Sequence, residues 1–221
     1  MYIYYPSCNY QKFFPETSAK IHAYLSTQPD VVVAGCCHVM QDLPQEGDTI
    51  VTVCMSCMRG LMEMRHDIPQ ISLYEFLLTR KDFNWPELSG VYTLQDCFRA
   101  RGRHALQDAV RTCLSRMHGQ AEIVEMPDNR DAEEFDGSFR LHAPYPQNMR
   151  EAPAYFATYL PQYVTPLPKT EWGTYFREHV KRYHTDHVIC YCNTCYTGAK
   201  EGTADADIQV HHLTELLFPC S

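Results

Sequence analysis

Cysteines placed at the ends of apolar segments constrain the fold of this chain more than any other feature. Three short apolar runs, at residues 2–5, 30–35 and 49–53, are each followed within three residues by a cysteine. Continuous runs of this kind are typical of strands that are buried on both faces of a parallel sheet. Ligands of such sheets bind beyond the carboxyl ends of the strands, so we expect these cysteines to meet in one crevice. They are Cys8, Cys36, Cys37, Cys54 and Cys57.

The order of the predicted elements occurs twice along the chain. Three further strands are predicted at 91–96, 121–126 and 187–190, and cysteines again follow the first and the last. A loop-like stretch with Asn, Pro and Gly, residues 81–90, separates the two series. We therefore predict an internal duplication, with one half at 1–88 and the other at 89–221. Each half is expected to be an α/β unit with a small, mostly parallel sheet, and a cysteine-lined cleft is expected between them.

Helical periodicity fills the intervals between the strands. Apolar residues at spacings of three and four predict a helix at 103–118, with Cys113 on its buried face. A shorter helix is predicted at 58–65, directly after the second cysteine pair. The second half is longer than the first, and helices are predicted there at 148–160 and 171–183.

The number and setting of the cysteines indicate metal chemistry rather than disulfide bonds. The chain has 11 cysteines, an odd number, and its first residues have neither the basic region nor the apolar core of a secretory signal. A cytoplasmic location is therefore expected, where disulfide bonds are rare. Converging thiolates select zinc, copper(I) or iron–sulfur clusters. The adjacent Cys36 and Cys37 suit a multi-iron body better than one tetrahedral ion, because neighbours in an extended segment point to opposite sides.

Charge and hydropathy argue against two classes of partner. With Lys+Arg 19 and Asp+Glu 27, the formal net charge of -8 lacks the cationic field that governs nucleic-acid binding. No apolar run approaches the roughly 18 residues of a membrane span. No glycine-rich fingerprint for flavin or nicotinamide occurs either, so we expect electrons to come from a redox partner subunit, a flavoprotein or a ferredoxin-like protein.

The cysteine motifs resemble those of a known family. Tyr4-Tyr-Pro-Ser-Cys8, Gly35-Cys36-Cys37 and Thr52-Val-Cys54-Met-Ser-Cys57 resemble the cysteine-rich CCG domain that occurs in heterodisulfide reductases. That family includes the cysteine-rich subunits of glycolate, lactate and glycerol-3-phosphate oxidations. The second half resembles the same domain again, at Leu94-Gln-Asp-Cys97 and Val188-Ile-Cys190-Tyr-Cys192-Asn-Thr-Cys195, so the resemblance spans nearly the whole chain.

The resemblance implies a function and a set of ligands. It implies a 4Fe-4S cluster, of the non-cubane type, on the five cysteines of the first half. It also implies electron transfer or disulfide reduction within a larger oxidoreductase, with a disulfide or thiol as substrate. The second motif is degenerate, because Phe135-Asp136 replaces its cysteine pair. A second cluster of cubane type, a zinc ion or no metal all remain open there, and the candidate ligands are Cys97, Cys192, Cys195 and either Cys190 or Asp136.

Several residues near these motifs have two interpretations. His38 replaces the glycine of the CCG motif; it is predicted to act in catalysis by protonating a leaving thiolate or by tuning a cluster, and plain packing is the alternative. His211 and His212 are predicted to be structural. A solvated turn is predicted after Cys97, with Arg99, Arg101 and Arg103 in it; a small anion-binding patch is the alternative.

Two other kinds of function compete with electron transfer. A non-catalytic scaffold that has lost its redox site would hold a structural zinc between the two Cys-x-x-Cys pairs, or no metal. A metal-free thiol–disulfide exchange protein would use Cys54 or Cys57 as nucleophile, with a lowered thiol pKa at a helix amino terminus. Cys113 is predicted to be a core residue and Cys220 an incidental thiol in the tail.

Overall fold

Two four-stranded parallel sheets form the framework of the protein in the computed structural model, which describes residues 1–40 and 42–219. The first sheet has the order β2-β1-β3-β4 and the second the order β6-β5-β7-β8. The strands are β1 (Tyr2–Tyr5), β2 (Val31–Val33), β3 (Thr49–Thr52), β4 (Gln70–Ser72), β5 (Gly90–Gln95), β6 (Ala121–Glu125), β7 (His187–Cys190) and β8 (Gln209–His212). The predicted α/β class with two small parallel sheets is confirmed.

The register of the strands aligns equivalent ends of the two sheets. Tyr5 at the end of β1 pairs with Thr52 of β3, and Gln95 at the end of β5 pairs with Cys190 of β7. Each sheet therefore delivers the residues that follow its two central strands to one edge. This places the cysteine-bearing loops of each half side by side, as parallel pairing requires.

The helices connect the strands and cover both sheets. They are α1 (Cys8–Phe13), α2 (Pro15–Ser26), α3 (Met55–Met64), α4 (Leu73–Leu78), α5 (His104–Arg116), α6 (Pro146–Glu151), α7 (Lys169–Val180), α8 (Asn193–Gly202) and α9 (Leu213–Leu217). The stretch predicted to be helical at 148–160 is mostly helical, but it is not one continuous α-helix. Pro153 has no backbone N–H to continue a helix, and the segment divides into α6 and a π-helical turn at Ala154–Tyr159. None of the helices in the described ranges is both long and apolar enough to cross a membrane.

Matching capping boxes begin the last helix of each half. Ser72 accepts a hydrogen bond from the Glu75 backbone N–H at 3.1 Å, and the Glu75 carboxylate accepts one from the Ser72 N–H. In the second half, His212 and Glu215 form the same box at the start of α9. Each box satisfies amides that a helix otherwise leaves unpaired. This geometry gives His212 the predicted structural role.

The two halves share one hydrophobic core. The largest cluster of buried apolar side chains draws on both sheets and on the helices between them. The Tyr74 hydroxyl donates to the Tyr191 carbonyl at 3.1 Å, and the Tyr10 and Thr214 hydroxyl oxygens lie 2.6 Å apart. Both bonds join the first half to the second, so the edges that carry cysteine face each other across a packed junction.

The extra chain of the second half closes one side of this junction. Its π-helical turn lies against α3, where the Glu63 carboxylate accepts hydrogen bonds from the backbone N–H groups of Ala154 and Tyr155 at 2.8 and 3.0 Å. The Arg59 guanidinium lies 4.9 Å from the centre of the Tyr155 ring. The segment thereby forms a wall over the middle and the carboxyl-terminal part of α3.

Candidate metal centre and the cavity beside it

Both Cys-x-x-Cys pairs begin a helix. Cys54 is the N-cap of α3 and Cys192 is the N-cap of α8, so α3 starts earlier than predicted, within the motif itself. Cys57 and Cys195 then lie in the first turn of each helix. Unpaired backbone N–H groups and the positive end of the helix dipole favour thiolate at these positions.

A compact triad of thiols is buried in the second half. The sulfur atoms of Cys97, Cys192 and Cys195 all lie within 4.8 Å of one another, and each residue is fully buried. It is the one group of three or more such ligands within residues 1–40 and 42–219. Cys97 follows β5, and the other two lie at the start of α8, so the triad depends on the pairing of β5 with β7. Its geometry can hold a metal ion.

The pKa values of the three triad thiols are not all shifted in the same direction. Burial raises the pKa of Cys97 and of Cys195 well above the ordinary value. Burial also acts to raise the pKa of Cys192, but hydrogen bonds from Cys195 and Cys97, and the charge of Arg99, lower it well below the ordinary value. Hydrogen bonds from Cys97 and Cys195 therefore favour the thiolate form at Cys192 over that form at its two neighbours.

The other two candidate ligands of the second half lie outside this triad. Cys190 ends β7 and is fully buried, but its sulfur does not belong to the group. Asp136 uses its carboxylate elsewhere: it accepts hydrogen bonds from Nε and Nη2 of Arg99 at 2.6 and 2.9 Å. Neither residue completes a fourth position at the triad in this geometry.

An open cavity of about 360 Å³ lies between the two halves, beside the triad. Four of the five cysteines predicted in the first half line it: Cys8, Cys37, Cys54 and Cys57. The Sγ atoms of Cys37 and Cys57 are 3.6 Å apart. Cys36 is half-buried and is not among the lining residues, in keeping with the opposite directions of adjacent side chains.

The first-half thiols are less closely grouped than the triad, and the pKa values of two of them are raised. Within the described ranges, no three of them have all their sulfur atoms within 4.8 Å of one another. The hydrogen bond to Cys57 and burial raise the pKa of Cys54 well above the ordinary value. The hydrogen bond to Cys37, together with burial, likewise raises the pKa of Cys57. Cys54 and Cys57 also lie outside the triad, so the two Cys-x-x-Cys pairs do not meet at one ion.

His38 lies on the rim of the cavity and contacts the second half. Its Nδ1 atom is hydrogen-bonded to the Glu151 carboxylate of α6, and both side chains are about one-quarter exposed, at 25% and 22%. The partner of His38 is therefore a carboxylate from the opposite half. That pairing orients the imidazole beside the thiols.

Arg99 is the site residue that the sequence analysis assigned wrongly. The prediction that Arg99 lies in a solvated turn was wrong, because the Arg99 side chain is only 1% exposed and lies between the triad and the cavity. Its guanidinium pairs with Asp136 and lies 3.8 Å from the centre of the Phe139 ring. The one sequence signal for this role was the coincidence of an arginine after Cys97 with an aspartate in place of a cysteine pair.

A glycine allows the Asp136 loop to reach this position. A Cβ atom at Gly137 would lie 2.1 Å from the Thr194 carbonyl oxygen and 2.9 Å from the Gly198 Cα atom. Only a residue without a side chain permits this contact with α8. The close approach brings Asp136 and Ser138 to the junction.

The remaining thiols and histidines play other parts. Cys113 is buried on α5, where its sulfur lies 3.6 Å from the Tyr74 carbonyl oxygen, as predicted for a core residue. His211 is paired with His187 across β7 and β8 at 3.2 Å. Cys220 lies outside the described residues.

Comparison with models of protein families gave no match for the chain, and comparison with curated proteins gave none.

Proposed function

We propose that the protein is an iron–sulfur electron-transfer component of the CCG-domain kind, which exchanges electrons with a redox partner subunit. The observation that carries the proposal is the concentration of thiols at the junction of the two halves. Four line one cavity and three form a buried triad beside it. Soft thiolate ligands in this number select iron–sulfur clusters, zinc or copper(I) over harder ions.

The donor set of the cavity fits a cluster better than a single ion. A tetrahedral ion needs its ligand atoms close together, whereas the thiolates around a four-iron body are held further apart by the body itself. The Sγ atoms of Cys37 and Cys57 are only 3.6 Å apart, but no three cavity thiols in the described ranges lie mutually within 4.8 Å, and the cavity of about 360 Å³ provides volume beside them. Cys8, Cys37, Cys54 and Cys57 would hold the cluster.

The donor set of the triad fits a thiophilic metal centre. Its three sulfurs all lie within 4.8 Å of one another, and the Cys195 sulfur lies 3.5 Å from the carbonyl oxygen of the buried Phe135. Metal binding requires deprotonated thiolates. The lowered pKa of Cys192 favours this form, whereas the raised pKa values of Cys97 and Cys195 oppose the loss of their protons.

The chain's own residues prepare the junction for redox chemistry. Buried aromatic side chains exclude water from the triad, and the Arg99 guanidinium offsets negative charge on Cys192. The His38–Glu151 pair lies at the open side, where a thiol or disulfide substrate would enter. An iron–sulfur cluster, when bound, supplies one-electron transfer at a potential set by charge, hydrogen bonding and exposure.

Thiol–disulfide exchange without metal is the second candidate function. The separation of 3.6 Å between the Cys37 and Cys57 sulfurs favours it. The raised pKa values of Cys54 and Cys57 weigh against it, because the thiolate is the attacking species. We therefore place it behind the metal-dependent function.

Metal analysis of protein purified without oxygen tests the proposal. We expect iron and acid-labile sulfide in about the four-to-four ratio of a 4Fe-4S cluster, with an EPR signal after reduction. The double variant Cys37→Ser/Cys57→Ser should lose that iron. The double variant Cys192→Ser/Cys195→Ser should lose any metal held by the triad.

Cys113→Ser is the matched control, since Cys113 is also a buried cysteine with a raised pKa but lies away from both sites. It should keep the full metal content. Zinc as the only metal would refute the electron-transfer proposal in favour of a structural site. Absence of metal, combined with rapid alkylation of Cys57, would refute it in favour of thiol exchange.

A further inference from the structure

One wall of the cavity combines a buried guanidinium with two serine hydroxyls. Arg99 donates from Nη1 to the Ser56 hydroxyl oxygen and from Nη2 to the Ser138 hydroxyl oxygen, the latter at 2.8 Å. Ser56 lies in the first turn of α3 and Ser138 in the loop after Gly137, so the two halves each supply one hydroxyl. All three residues line the cavity.

The arrangement leaves hydrogen-bond donors unused. A serine oxygen that accepts a bond from arginine still has its own hydrogen to donate. Over residues 1–40 and 42–219, neither Ser56 nor Ser138 has an acceptor for that hydrogen. Arg99 has five N–H donors, and its partners in the same ranges are Asp136, Ser56 and Ser138, which take four of them. The missing acceptor would lie in the cavity.

The charge at this wall selects the kind of acceptor. Asp136 already balances the positive charge of Arg99, so a doubly charged phosphate would be left without compensation. A carboxylate fits better, because it brings only one negative charge and still accepts strong, charge-assisted hydrogen bonds from the two hydroxyls. The cavity is also lined by Lys12, which is positively charged, and by Glu151, whose carboxylate is paired with His38. The positive end of α3 adds to the attraction.

The rest of the cavity suits the organic part of such a ligand. Apolar side chains of Met64, Phe139 and Phe156 line it together with the polar wall. A few convergent polar groups in a largely apolar cleft of this size are typical of small-molecule sites.

We propose that Ser56, Ser138 and Arg99 form a binding subsite for the carboxylate group of a small organic molecule. The electron-transfer proposal does not specify a carboxylate ligand, so the subsite adds a new class of ligand to the cavity. It depends on the serines and on Arg99, and it does not depend on which metal the cysteines hold.

Ligand-observed saturation-transfer NMR and calorimetry with butyrate test the subsite, on protein whose iron and zinc contents are measured in the same sample. We expect butyrate to bind and the matched neutral amide, butyramide, to bind at least tenfold more weakly. Inorganic phosphate should bind more weakly than butyrate. The double variant Ser56→Ala/Ser138→Ala should lose at least tenfold in butyrate affinity, since it removes both hydroxyl hydrogen bonds to the charged carboxylate.

Ser115→Ala is the matched control, because Ser115 is an exposed serine on α5 whose hydroxyl donates to the Thr112 carbonyl oxygen. It should bind butyrate as the unmodified protein does. The single variants Ser56→Ala and Ser138→Ala, checked for an unchanged melting temperature, serve if the double variant does not fold. Equal binding of butyramide, equal or tighter binding of phosphate, unchanged affinity in the serine variants, or no butyrate binding would each overturn the proposal.

The two proposals fail separately in this design. Butyrate binding by protein that carries no iron would support the subsite and count against the electron-transfer function. Iron-loaded protein that does not respond to butyrate would overturn the subsite and leave that function intact.

Discussion

Replacing Asp136 by asparagine removes the counter-charge of Arg99 with almost no change of shape. The carboxylate is fully buried, the guanidinium is 1% exposed, and two hydrogen bonds of 2.6 and 2.9 Å join them. Breaking a buried ion pair by removing one partner leaves an uncompensated charge in the core, which costs about 3–5 kcal/mol. We expect Asp136→Asn to lower the free energy of unfolding by about that amount.

Asp108→Asn provides the matched comparison. Asp108 also pairs with an arginine, Arg130, at 2.8 Å, but the two side chains are 62% and 45% exposed. Exposed ion pairs contribute about 0–1 kcal/mol, so this variant should change stability by less than about 0.5 kcal/mol. Urea denaturation followed by circular dichroism, in reducing buffer with a chelator, gives both free energies of unfolding. Similar losses in the two variants would refute the argument from burial.

A double variant separates the charge from the packing. Arg99→Met/Asp136→Leu replaces both ions by apolar side chains, and such replacements of buried pairs are often neutral or stabilising. It should recover most of the stability that Asp136→Asn loses. A double variant less stable than the single one would show that the pair stabilises the junction by more than mutual compensation.

Two further predictions concern stability. Burial lowers the pKa of His179 to about 3 and that of His212 to about 4. The unfolded chain therefore takes up protons first as the pH falls below about 6.5. Between pH 7 and pH 5, each histidine should lower the free energy of unfolding by about 2 kcal/mol. Urea unfolding at the two pH values should show a smaller loss in His179→Gln, and an equal loss would contradict this. Gly137→Ala should destabilise the folded protein by about 1–3 kcal/mol or more, because its Cβ would clash with the Thr194 carbonyl oxygen. Gly60→Ala should instead stabilise α3 by about 0.5–1 kcal/mol, because its Cβ would be 3.7 Å from the nearest atom. Thermal melts of the two glycine variants that shift in the same direction would refute this contrast.

The local signals in the sequence were sufficient for the fold class. Apolar runs such as 49–53 form strands because continuous β-branched residues fit a sheet buried on both faces. The repeated order of elements predicted two similar halves, and the structure adds the matching strand orders β2-β1-β3-β4 and β6-β5-β7-β8. Element ends were less predictable: the helix of the first Cys-x-x-Cys begins at Met55, because Cys54 itself serves as the N-cap.

The sequence by itself indicated which cysteines gather at the junction, because cysteines directly after buried strands lie at one edge of a parallel sheet. Only the tertiary structure decided how they are divided. The triad of Cys97 and the second Cys-x-x-Cys, the burial of Arg99 against Asp136, and the meeting of Ser56 with Ser138 all join residues that are 37 or more positions apart or belong to different halves. Such contacts depend on how the two sheets pack together, and neither periodicity nor motif spacing encodes that packing.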